Sequence, residues 1–203
     1  MPLPFLLDHD DDDDEERPGA KDPMPSSIQI KLLEARKVII AEPIEARTAH
    51  RVMAELLYLQ VMDPTAPVDI YINSPGGEIS SGLAIYDCLR HMGFPLRTVA
   101  AGLTASIATI IYVAAPRPSR CSLPNTRFLI HQPLAGFKGC ASDLEIHANE
   151  IVRTKRHVNG ILADATGQSM EKIDRDTNRD YWMTAEEALE YGLVGEILGP
   201  GRN

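Results

Sequence analysis

A serine hydroxyl is a poor nucleophile at its ordinary pKa. It needs a base within hydrogen-bond reach, a group orienting that base, and donors for the oxyanion that forms. Three segments of this chain, in order, carry residue types that meet those needs: Asn73-Ser74-Pro75-Gly76-Gly77, Thr104-Ala105-Ser106-Ile107-Ala108 and Leu129-Ile130-His131-Gln132-Pro133. Ser106 opens an apolar stretch of helical length. The Ile107 amide is then an orphan first-turn donor at the end of a helix that favours negative charge. Pro75-Gly76-Gly77 is a second place where backbone can approach a ligand without a Cβ in the way, although two glycines in a turn are common. His131 is a candidate base, and a histidine closing a buried strand explains it equally well. Asp180, in Arg179-Asp180-Tyr181, is a candidate orienting acid, but spacing does not say which aspartate meets which histidine. His147 and Glu150 lie one helical turn apart, yet no third ligand has suggestive spacing, so they read as a solvated helix face.

These residues must be held by an alternation of strands and helices. Lys37 to Ala41 is a short β-branched run, and Glu45 to Met62 carries Val52, Leu56 and Leu59 on one helical stripe. Val68 to Ile72 reads as a strand and Gly77 to Met92 as a helix with Ile79, Leu83, Tyr86 and Leu89 on one face. Arg97 to Ala101 is the next strand, Ser106 to Val113 the next helix, and Arg127 to Ile130 a strand ending at His131. Such spacing predicts an α/β fold of βαβ units with a largely parallel sheet. Right-handed crossovers then set the strand-to-helix loops along one sheet edge, where Gly76-Gly77 and Ser106 both fall. Ser142-x-x-Glu145 predicts a capping box opening a long helix to Thr166, stopped by Gly167. A helix of that length in a small domain usually projects to meet something. Thr184-x-x-Glu187 predicts a shorter helix closing at Gly192.

The 203 residues suit one domain, here about 28–200, long enough to bury roughly 70% of its unfolded surface. The net charge of −9 is concentrated in Asp8, Asp10 to Asp14, Glu15 and Glu16. Residues 1–27 therefore read as a disordered or processed acidic leader, and the near-neutral remainder argues against a nucleic-acid or anionic-membrane partner. Three widely spaced cysteines without a CxxC suggest reduced thiols in the cytoplasm. Val99 to Ala115 has no charge, but Gly102, Thr104, Ser106 and Thr109 dilute it. A buried strand running into a buried helix accounts for it better than a membrane span.

The segments named above, with Glu145-Ile146-His147-Ala148, Thr166-Gly167-Gln168-Ser169, Arg179-Asp180 and the closing Ala188-Leu189-Glu190-Tyr191-Gly192-Leu193-Val194, resemble the Clp protease proteolytic subunit from about Lys31 to Leu198. The resemblance implies a crotonase-like α/β unit with a projecting handle helix from Ser142. It implies Ser106 as nucleophile, His131 as general base and Asp180 as orienting acid, with Gly77 and Ile107 giving the oxyanion-hole amides. Arg179 would help couple ring assembly to that geometry, and the Gly136-Phe137-Lys138-Gly139 segment would be the strand against which an extended peptide lies. Heptameric rings stacked as a tetradecamer, alone or with a sister subunit, would enclose the serines and receive unfolded proteins from an AAA+ Clp ATPase. No cofactor is expected in this subunit; ATP would be used by that partner.

The chain departs from the family pattern in four places. The usual Gly-Glu-Arg segment before Leu32-Leu33 is missing, and the acidic leader has no counterpart. Asp69 and Cys121 stand where the ATPase-docking pocket usually has aromatics, and an unpaired aspartate there would resist an apolar loop. Ala108 replaces a glycine. These departures make a structural subunit of a mixed ring the chief alternative. An acyl-CoA hydratase or isomerase of the same broad fold is a further one, though its site would not need Ser106, His131 and Asp180 together.

Overall fold

A computed structural model of the chain describes residues 26–134 and 136–199. Seven strands form one sheet: β1 (Lys37–Ile40), β2 (Val68–Ser74), β3 (Leu96–Ala105), β4 (Arg120–Ser122), β5 (Arg127–Ile130), β6 (Tyr181–Met183) and β7 (Glu196–Ile197). Among the described residues the α-helices are α1 (Ser26–Glu34), α2 (Ala46–Met62), α3 (Ile79–His91), α4 (Ile107–Tyr112), α5 (Ala141–Thr166), α6 (Met170–Asp176) and α7 (Ala185–Tyr191). The predicted leader lies outside the described residues except for its last two, which begin α1.

The order β1-β2-β3-β4-β7 is parallel throughout, as the helix-length connections require. Along β2 buried and more open residues alternate, so Val68, Ile70 and Ile72 face the core. They meet Val52, Leu56 and Leu59 of α2, Ile85 of α3 and Ile110 and Ile111 of α4 in one apolar cluster. Each such side chain contributes about 1.5–3 kcal/mol on burial. Two buried hydroxyls beside them are answered: Tyr112 donates to Cys121 O at 3.0 Å, and Thr98 Oγ1 donates to Tyr112 O at 2.9 Å. The uncharged stretch from Val99 is thus the end of β3 and all of α4, the helix lying wholly inside the core. No helix among the described residues is long and apolar enough to cross a membrane.

Strand β3 does not stop at Ala101 as the sequence suggested; it continues to Ala105 through a bulge. Its first half pairs with β4 and its last three residues pair with β5 instead. The register against β2 shifts between Ile72 and Ser74, and Asn73 Oδ1 accepts from Leu103 N at 3.0 Å across the irregularity. Gly102 sits there at φ +81°, and a Cβ on it would lie 2.9 Å from that same oxygen. The bulge therefore leads the end of β3 onto β5.

Helix α5 runs to Thr166 and stops at Gly167 in the left-handed conformation, as predicted. Residues 141–150 are all exposed, whereas Val158, Asn159, Leu162 and Thr166 are buried, so the N-terminal part projects and the C-terminal part anchors. Buried Arg120 ties down that base by donating to Ala165 O at 2.8 Å and Leu193 O at 3.1 Å. Lys- or Arg-like donors suit the carbonyl end of a helix. The Ser142 capping box is not formed: the helix begins at Ala141, with Cys140 as N-cap and no side-chain cap bond. Starting there puts Ser142 inside the first turn, beyond the cap position. The Thr184–Glu187 capping box is fully formed.

Candidate active site

Ser106 occupies the junction between β3 and α4 at φ +56°, ψ −129°, a backbone conformation that side-chain-bearing residues seldom adopt. Bonds on both sides hold it. Its N–H donates to Leu129 O at 2.8 Å, continuing the β3–β5 pairing, and its carbonyl accepts from Thr109 N at 3.0 Å and from Thr109 Oγ1 at 2.6 Å. Ser106 is half-buried. It lines, together with His131, Ile79, Ile107, Thr109, Ile130, Pro133, Val158 and Leu162, a small pocket with apolar walls. The two residues that the sequence offered as nucleophile and base therefore share one cavity.

Asp180 immediately precedes β6, the strand that pairs with β5. Strands β5 and β6 are antiparallel with Phe128 opposite Met183, Leu129 opposite Trp182 and Ile130 opposite Tyr181. His131 follows the last paired residue of β5 and Asp180 precedes the first paired residue of β6. Gln132 fastens the junction, donating its N–H to Thr177 O at 2.6 Å and its Nε2 to Asn178 O at 2.9 Å. Among the described residues, no hydrogen bond joins Ser106 to His131 or His131 to Asp180. Asp180 and Arg179 are exposed on the loop between α6 and β6.

The Gly76-Gly77 turn lies against Ser106. A Cβ on Gly76 would stand 2.6 Å from Ser106 Cβ and 3.2 Å from Ile107 N, and one on Gly77 would collide with Ile44 O. Gly76 at φ +90° and Gly77 at φ +153° also use conformations that favour glycine. Gly77 is not the start of α3, as the sequence suggested; it forms a parallel bridge to Ile44. The two bonds of that bridge run from Ile44 N to Gly76 O at 2.9 Å and from Glu78 N to Ile44 O at 2.7 Å. Neither uses the N–H of Gly77, which is exposed and follows the Gly76 that approaches Ser106.

Three supporting residues escaped the sequence reading. Ile44 braces the glycine turn. Thr109 holds the Ser106 carbonyl, and its signal was local: a threonine one turn into a helix commonly bonds back to the preceding turn. Asn159, fully buried on α5, donates Nδ2 to Asp174 Oδ1 at 2.6 Å and to Thr177 Oγ1 at 3.1 Å, bracing the segment that Gln132 grips. A polar residue among apolar α5 positions was its only mark in the sequence.

Other expectations change. Gly136-Phe137-Lys138-Gly139 is not a strand; Phe137 instead stacks on His147 of α5, ring centroids 4.3 Å apart. His147 is thus an aromatic packing partner, and Glu150 lies 3.5 Å from Arg153. Among the described residues, no group of three or more His, Cys, Asp or Glu could hold a metal ion. Asp69 is paired: Arg97 grips both its oxygens at 2.8 and 2.6 Å, which removes the cost of an isolated carboxylate. Cys121 beside it is buried.

Comparison with known proteins fits this arrangement. Residues 21–201 match the family described as Clp protease. The chain belongs to the Clp protease family. Among solved structures it is similar to a mutant ClpP1 of Listeria monocytogenes, at 39% identity and a TM-score of 0.79, covering 85% of this chain and 96% of that one. Family membership extends the resemblance beyond isolated motifs: the sheet, the projecting α5 and the Ser106 junction all lie inside the matched span.

Proposed function

We propose that this chain is a serine endopeptidase subunit that cuts unfolded proteins inside a double ring. The observation that carries this reading is the convergence of Ser106 and His131 on one cavity, with Asp180 next to the β6 end that pairs with β5. In the proposed reaction Ser106 Oγ attacks the peptide carbonyl while His131 takes its proton and later passes it to the leaving amine. Asp180 orients the imidazole and stabilises its charged form. The Gly77 and Ile107 N–H groups receive the negative charge on the carbonyl oxygen. The apolar walls around Ser106 suit an apolar side chain of the substrate.

Ring assembly is proposed on the exposed apolar faces. Leu57, Tyr58, Val61 and Met62 line the outer side of α2, while Leu144, Ile146 and Val152 lie open on α5. Apolar area of that extent on two helices calls for cover. In this reading heptameric rings stack as a tetradecamer, alone or with a sister subunit, with Arg179 linking assembly to the catalytic loop. An AAA+ Clp ATPase delivers substrates and uses the ATP, and the subunit itself works without a cofactor. Cys88, Cys121 and Cys140 are all unpaired, which suits a reducing cytoplasm.

A structural subunit of a mixed ring is the second reading. It draws on the missing Ser106–His131–Asp180 bonds and on the charged Asp69–Arg97 pair in place of docking aromatics. One experiment separates the two: intact-mass analysis after a fluorophosphonate probe, on the fraction eluting as a large assembly. One adduct per chain at Ser106, absent in Ser106→Ala, is expected for the peptidase. A well-formed assembly without adduct sinks that reading and moves the structural subunit to the front.

A further inference from the structure

We infer that Thr109 is a positioning residue for the oxyanion donor: its hydroxyl holds the Ser106–Ile107 peptide in the orientation that turns the Ile107 N–H toward the cavity. This rests on the reading of Ser106 as nucleophile and names a residue that neither the motifs nor the triad includes.

Peptide planarity couples the Ser106 carbonyl to the Ile107 amide. The Ser106 carbonyl and the Ile107 N–H belong to one rigid amide and point in opposite directions. Fixing the oxygen therefore fixes the hydrogen. Two bonds fix the oxygen, from Thr109 N at 3.0 Å and, at the shorter distance of 2.6 Å, from Thr109 Oγ1. Rotating the peptide so that its N–H leaves the cavity would break both.

The restraint matters because Ser106 has a reason to relax. A non-glycine residue at φ +56° is held in a costly conformation, and such strain persists only where its surroundings over-determine it. Leu129 O fixes the peptide preceding Ser106, and Thr109 fixes the peptide following it. Threonine returning a hydroxyl to an upstream carbonyl is ordinary in helices. Here the carbonyl belongs to the strained residue, and the amide sharing its plane is the proposed donor. Thr109 is buried, with 1% of its surface exposed, and it lines the same cavity as Ser106 and His131. Little water reaches the hydroxyl, so its bond to Ser106 O meets little competition.

The test compares Thr109→Val, which keeps the shape and removes the hydroxyl, with Thr109→Ser, which keeps the hydroxyl. Both are assayed as the full chain in its assembled form on a fluorogenic peptide. An interaction that matters only when charge develops lowers kcat and leaves KM alone. Thr109→Val is therefore expected to lose about tenfold in kcat with KM within about twofold, and Thr109→Ser to restore most of the loss. Equal kcat in wild type and Thr109→Val overturns the inference. So does a loss that Thr109→Ser does not relieve.

A crystal structure of Thr109→Val supplies a readout independent of turnover. Rotation of the Ser106–Ile107 peptide, read as a changed ψ at Ser106, is expected; an unmoved peptide overturns the inference. If wild type and Ser106→Ala behave alike on peptide, the nucleophile assignment fails. The dihedral angles of Ser106 in the variant then decide the role of Thr109 alone.

Discussion

At the scale of single residues, charges in this chain are settled by their immediate partners. Asp176 shows how. Burial acts to raise its pKa, but hydrogen bonds from Lys172 and Tyr191 and the nearby charges of Lys172 and Arg175 outweigh it, and the carboxyl ends below the usual carboxylate range. Lys172 Nζ lies 2.5 Å from Asp176 Oδ2, and Tyr191 donates to the same oxygen at 2.9 Å. A depressed carboxylate pKa stabilises the fold above the unfolded pKa, and that stability is lost as pH falls through the folded value. Asp176→Asn should therefore cost about 1 kcal/mol near neutrality. The deficit relative to wild type should shrink as pH drops below about 4. Urea melts of both proteins from pH 7 downward check this; a deficit that stays constant with pH means the charge of Asp176 contributes nothing.

At the scale of elements, the site depends on how closely α3 and α4 approach. Gly82 of α3 faces Ile107, and a Cβ at that position would collide with the Ile107 side chain. Two effects of Gly82→Ala oppose each other. Alanine in a helix interior gains about 0.5–1 kcal/mol over glycine. Overpacking a buried contact costs about 1–3 kcal/mol. Because Ile107 is itself 3% exposed and has little room to yield, overpacking should win, leaving a net loss of about 1 kcal/mol. Adding Ile107→Ala should recover part of the Gly82→Ala penalty in a double-mutant cycle. Strict additivity of the two changes would show that the helices do not meet there.

At the scale of the whole molecule, α2 has two apolar faces where a surface helix needs one. Val52, Leu56 and Leu59 are buried against the sheet, while Val61 is 84% and Leu57 52% exposed on the far side. Replacing Leu57 and Val61 together with glutamate should leave the fold intact, since neither belongs to the core. It should break the proposed ring, because two carboxylates would have to be buried at a contact. Sedimentation velocity and circular dichroism read the two effects separately. A large species that survives the double substitution places this face outside the assembly.

Much of this was legible in the sequence because it is encoded over short distances. Helical stripes, β-branched runs, the Thr184 capping box and the Gly167 stop depend on residues within a turn or two of each other. They fixed the order of elements and set Ser106 at a strand-to-helix junction. Where local signals competed without packing to arbitrate, they failed: the start of α5 is solvent-exposed, and the Ser142 box lost to a helix capped two residues earlier, at Cys140. Gly102 read as the end of a strand, because a bulge is recognised only beside the neighbour it is fitted to, here Asn73. The gathering of Ser106 and His131 at one cavity, the pairing of Asp69 with Arg97 and the bracing by Asn159 were decided by tertiary structure alone. Each depends on the register or contact of segments far apart in the chain, and that register follows from how the sheet and helices pack together.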